Sequence, residues 1–163
     1  MICYNIYCYP MNDMSRTAAP ALPISLQQRV IVALGRAVYQ AMHRMEQELK
    51  PFGLTPTQYN VLRILNGAGP DGLCGTEIGR RLISQVPDVT RLLDRLEDAG
   101  LVQRERDPNN RRFVTTRLTD AGREKLIETT PVLDQMQREM LKHLSEGQLR
   151  SLLEMFPDTF GSG

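Results

Sequence analysis

A chain of 163 residues that is 41% hydrophobic and 24% charged falls in the range of one globular domain with a real core, which excludes a wholly disordered protein. No apolar run approaches the roughly 20 residues needed to cross a bilayer, and three cysteines without a paired framework point to a reducing, cytoplasmic setting rather than a stapled secreted domain. A net charge of +1 excludes any argument from global basicity, so nucleic-acid binding has to be sought in how the charge is distributed.

Residues 1–23 show neither helical nor strand period, no basic n-region and no continuous apolar h-region. They read as a disordered tail holding Cys3 and Cys8, with Met11 and Met14 as candidate true starts, and leave 24–163 as a single domain. Val30, Leu34, Val38, Met42, Met45 and Leu49 then recur at steps of three and four, which places them on one face of a helix from about Ser25 to Lys50, ended by Pro51 and Gly53, a face that reads as core or dimer interface. Thr55-Pro56-Thr57-Gln58 is a capping box with proline in the first turn, opening a second helix with Leu62 and Leu65 inward.

Glycines and a proline between Gly67 and Gly72 make a loop, and Leu73-Cys74 is long enough only for a minimal strand. Cys74 reads as a small residue starting that strand rather than a redox switch, since reactivity requires a lowered pKa. A short helix with Ile78 and Leu82 follows, then another beginning at Pro87, with Val89, Leu92, Leu93 and Leu96 inward and Gly100 as its C-terminal glycine. Two such helices form a helix-turn-helix, a common arrangement on its own. Residues 101–106 and 112–118 alternate apolar and polar around Asp107-Pro108-Asn109-Asn110, which predicts a β-hairpin directly after it.

Thr119-Asp120 caps a further helix that Pro131 should kink or restart. Ser145-Glu146-Gly147-Gln148 is a second capping box, and Leu149, Leu152, Leu153 and Phe156 give the last helix an expected buried face. The fold expected is mainly α with a small β-hairpin wing.

The charge is uneven: residues 104–117 carry a net +3, and residues 118–163 a net −3. On the helix from Pro87, the residues Asp88, Thr90, Arg91 and Arg95 lie off the leucine stripe, where Arg91 can pair with guanine or phosphate and Thr90 with phosphate. Taken alone this is also the pattern of a solvated helix face with Asp94 and Asp98 in local pairs. The hairpin shifts the balance, because Arg111 and Arg112 at its tip suit a narrow minor groove, while Arg104, Arg106 and Arg117 can follow the phosphates.

The run from Leu54 to Leu65 (LTPTQYNVLRIL), that from Val89 to Val102 (VTRLLDRLEDAGLV), DPNNRR from Asp107 to Arg112 and LTDAG from Leu118 to Gly122 together closely resemble the MarR (multiple antibiotic resistance regulator) family. The resemblance implies a winged helix-turn-helix over 54–118, and a dimerisation lobe built from the helices in 24–50 and 119–157. It further implies a homodimer that binds a pseudo-palindrome in double-stranded DNA and acts as a repressor. Recognition contacts then fall on the helix near Pro87 and on a minor-groove arginine matching Arg112, with Arg111 beside it. Many relatives carry Asp where this chain has Asn110, so an ion pair that stiffens their wing is here replaced by a neutral hydrogen bond.

Relatives often release DNA when a small aromatic or anionic compound binds between the two lobes, and Tyr39, His43 and Tyr59 are the candidates for lining such a pocket, with structural packing as the competing role. His43 and His143 have no cysteine or carboxylate at metal-motif spacing, so neither a metal nor a cofactor is expected. Hydroperoxide-sensing relatives use a cysteine in the first helix, and residues 25–50 contain none. No phosphate-binding glycine loop or nucleophile elbow supports an enzyme; the competing binding role is a winged-helix adaptor for an acidic protein partner.

Overall fold

The computed structural model describes residues 24–83, 86–106 and 114–155. These residues divide into two compact units between Gln40 and Ala41. Helix α1 (Leu26–Leu49) spans the division, and Ser25 opens it by accepting the Gln28 N–H at 3.1 Å. Beyond a 3-10 turn at Lys50–Phe52 come α2 (Pro56–Ala68), the two-residue strand β1 (Leu73–Cys74), α3 (Gly75–Arg81), α4 (Val89–Asp98), β2 (Val102–Arg106), β3 (Val114–Leu118), α5 (Asp120–Leu141) and α6 (Glu146–Met155). The strands form one antiparallel sheet ordered β1-β3-β2, with Leu73 and Arg104 both opposite Thr116.

Local chemistry fixes most of these boundaries. Both arms of the α2 capping box are made: the Thr55 N–H donates to Gln58 Oε1 at 2.9 Å, and the Gln58 N–H donates to Thr55 Oγ1 at 3.2 Å. The equivalent pair at α6 joins Ser145 and Gln148 at 2.8 and 3.3 Å. Helix α4 closes in a Schellman motif, with the Gly100 N–H on Glu97 O at 2.8 Å and the Leu101 N–H on Leu96 O at 2.9 Å. That motif needs a left-handed residue after the cap, and Gly100 supplies it at φ 70° without a Cβ penalty.

The core of the second unit joins Leu49, Leu62, Leu65, Ile78, Leu96 and Leu133, each essentially inaccessible. Each fully buried leucine or isoleucine contributes about 1.5–3 kcal/mol over leaving it exposed. Within this chain the α1 stripe is covered only at its C-terminal end, where Leu49 is buried, while Val30, Val38 and Met42 are 45%, 61% and 44% exposed. The expected buried face of α6 is likewise absent: Leu152 is 38% and Leu153 76% exposed, and Phe156 lies outside the described residues. Three-and-four spacing identifies an apolar face but not whose surface covers it.

Pro131 does not restart its helix: α5 runs unbroken from Asp120 to Leu141 with the proline inside. Proline removes one backbone donor, the partner of the Ile127 carbonyl. Ile127 itself is 73% exposed. Leu126 and Leu133, on either side of the proline, are anchored in the core.

Candidate nucleic-acid interface

α3 and α4 pack through small residues. A Cβ on Gly79 would lie 3.2 Å from Val89, and one on Gly75 3.7 Å from Leu93. With Leu92, Leu93 and Leu96 turned into the core, the opposite side of α4 is left to Thr90, Arg91 and Arg95, all exposed. Its start is corrected from Pro87. The helix begins at Val89 with Asp88 as N-cap, whose carboxylate accepts the Arg91 N–H at 2.9 Å, so the proline precedes the cap and occupies no helical position. Asp88 Oδ2 also lies 3.7 Å from Arg91 Nε, leaving that side chain 79% exposed.

Arg104, expected along the phosphates, is paired within the protein. Its Nε donates to Glu97 Oε2 at 2.7 Å, its Nη2 reaches Asp94 Oδ1 at 2.5 Å, and its backbone N–H donates to Glu97 Oε1 at 2.9 Å. The guanidinium is only 23% exposed. Its pKa is pushed up, chiefly by the hydrogen bond to Glu97 and then by that to Asp94, against partial burial. The arginine therefore joins β2 to α4 and neutralises acids on the helix.

Arg117 is also engaged within the protein: it donates to Glu105 Oε2 at 2.7 Å and to Pro70 O at 3.0 Å. Glu105 faces Thr115 and Gln103 faces Arg117 in the β2–β3 register, so this is a diagonal cross-strand pair. Arg106, at the end of β2, is exposed. Arg111 and Arg112 lie outside the described residues, as does Asn110.

Sequence reasoning missed a cluster on α3, where Arg80 and Arg81 both hold Glu77, at 2.9 and 2.6 Å. The three- and four-residue spacing was the available signal. Hydrogen bonds from Arg80 first and Arg81 second lower the Glu77 carboxyl from 4.5 to about 2. An acid whose folded pKa is depressed stabilises the fold fully above its unfolded value, and loses that contribution as pH falls toward the folded one. The stability difference between wild type and Glu77→Gln should therefore be largest near neutrality and shrink as pH falls from 4.5 to about 2. Thermal unfolding across that range checks it, and a difference independent of pH would sink it.

Of the proposed pocket residues, Tyr59 belongs to the core at 5% exposure, its hydroxyl 3.4 Å from Thr130 Oγ1 on α5. His43 Nε2 accepts from Gln47 Nε2 at 3.1 Å and lines an open groove of about 550 Å³ with Lys50 and Thr55. Tyr39 is 74% exposed. Cys74 is partly buried and unpaired by any disulfide. Among the described residues no helix is long and apolar enough to cross a membrane, and no cluster of His, Cys, Asp or Glu could hold a metal ion.

Comparison with known proteins locates this arrangement. The model of the MarR family matches residues 54–114. A MarR transcription factor from Planctomyces limnophilus shares 39% sequence identity at a TM-score of 0.64, over 80% of this chain and 95% of that one. BpsR of Bordetella bronchiseptica, whose DNA binding is regulated by 6-hydroxynicotinic acid, superposes at a TM-score of 0.74 over 86% of this chain and 99% of its own, at 21% identity. The HTH-type transcriptional regulator YkoM of Bacillus subtilis (strain 168) is 36% identical over 97 residues, 60% of this chain and 62% of YkoM. The match thus spans less than two thirds of that regulator's length.

Proposed function

The chain belongs to the MarR family, and from that membership we propose that it is a transcriptional repressor that binds a pseudo-palindromic site in double-stranded DNA as a homodimer, without catalysing a reaction. The observation that carries this reading is the outer face of α4. Thr90, Arg91 and Arg95 are exposed there, Asp88 is engaged as the cap, and Asp94 is paired with Arg104. At ~1.5 Å per residue a ten-residue helix is about 15 Å long, and a major groove about 12 Å wide admits it.

Arg91 and Arg95 supply base-edge and phosphate contacts, Thr90 a phosphate contact, and Arg106, Arg111 and Arg112 follow the backbone and enter the minor groove. The homodimer forms through apolar surface on α1, α5 and α6. A small aromatic or anionic effector relieves repression, a role supported by the regulation of BpsR by 6-hydroxynicotinic acid.

Selection of bound duplexes from a random DNA pool tests the reading. Wild type should enrich a pseudo-palindrome with half-sites about one helical turn apart. Arg91→Ala and Arg112→Ala should each weaken binding to it by about 1–3 kcal/mol while leaving the dimer intact. A folded dimer that enriches no sequence, or that binds an acidic polypeptide as well as it binds DNA, would overturn the proposal.

A further inference from the structure

Asp94 and Glu97 lie one turn apart on α4, and Asp94 immediately precedes Arg95 on the proposed recognition surface. Their side chains are 46% and 37% exposed. Carboxylates so placed repel an approaching phosphate backbone within a screening length of about 8–10 Å at ordinary salt. Both are held by one guanidinium that comes from β2, seven and ten residues further along the chain. That guanidinium is engaged by them, its Nε and Nη2 both bonded to the helix and its side chain only 23% exposed.

We infer that Arg104 is a positioning residue for DNA binding that acts through Asp94 and Glu97, offsetting one of their two negative charges so that Arg91 and Arg95 dominate the outer face of α4, and that it makes no contact with DNA itself. The inference rests on the DNA-binding reading. It differs from a phosphate contact in what should happen once the two acids are also removed. A phosphate-binding arginine is then still missed, whereas an arginine that only cancels charge has nothing left to cancel.

The experiment measures affinity and its salt dependence on the duplex selected by wild type. Arg104→Gln should bind at least tenfold more weakly. Asp94→Asn combined with Glu97→Gln and Arg104→Gln should return to at least wild-type affinity, with a salt slope no shallower than that of wild type. A lost phosphate contact would instead leave the triple variant at least tenfold weak, with a slope lower by about 0.9, and would overturn the inference; so would an Arg104→Gln protein of unchanged affinity. Should that single variant fail to fold, comparison of the triple variant with wild type makes the same decision. A wild type that selects no duplex refutes the DNA-binding reading itself, and the inference falls with it.

Discussion

Gly122→Ala is expected to destabilise the protein by on the order of 3 kcal/mol, because the added methyl has nowhere to go. A Cβ at this position would stand 2.2 Å from Leu101 O and 2.8 Å from a Leu118 methyl, and the nearer of these is backbone, which cannot rotate aside. Helix propensity works in the opposite direction, since alanine is favoured over glycine by up to about 1 kcal/mol within a helix. The clash exceeds that gain. For a protein of this size the net loss lowers the melting temperature by roughly 6–12 °C, and calorimetry of the variant checks it. A fall of less than about 2 °C would mean that α5 backs away from Leu101 at little cost.

Charging α6 should have the largest effect on DNA binding. Helix α6 buries none of its own residues, and Leu152, Leu153 and Met155 are 38%, 76% and 68% exposed. A carboxylate placed in an apolar interface costs several kcal/mol unless it is paired. Leu152→Glu together with Leu153→Glu should therefore yield a folded monomer in sedimentation velocity. Coupling two half-site contacts in one particle raises overall affinity by about 10²–10⁴ over either alone, so the monomer should lose at least a hundredfold on the full palindrome while keeping its helical content. A variant that remains dimeric would remove α6 from the interface.

Sequence was most informative where one residue has one job. The pairs Thr55–Gln58 and Ser145–Gln148 form the hydrogen bonds their spacing implies, and Gly100 closes α4. Where two local rules met at neighbouring positions, one had to give way: proline favours the first helical position, but the Asp88 cap bond lies one residue later and sets the start of α4. The stripes of α1 and α6 were visible as periodicity, yet spacing carries no information about which molecule covers them. Arg104 and Arg117 looked free because their acids arrive through a turn and a hairpin rather than along one helix. The repression, effector response and wing-tip contacts came from family resemblance, as no local physical rule specifies them.

The junction at Gly122 has a mechanical consequence. Thr119 Oγ1 donates to Gly100 O at 2.7 Å and accepts the Gly122 N–H at 3.0 Å, while the Thr119 N–H donates to Leu101 O at 3.2 Å. The C-terminal end of α4 is thus clamped to the first turn of α5 with no slack between them. A shift in the first turn of α5 therefore acts directly on α4, and through the packing of Val89 and Leu93 against Gly79 and Gly75 it acts on α3 as well. A tilt of ten degrees in a helix about 15 Å long moves its far end, where Asp88 and Arg91 sit, through about 2.6 Å, most of the ~3.4 Å between successive base pairs. On the proposed reading, a small angular change at this junction is enough to shift Arg91 relative to a bound duplex, while Arg95, near the clamped end, moves far less.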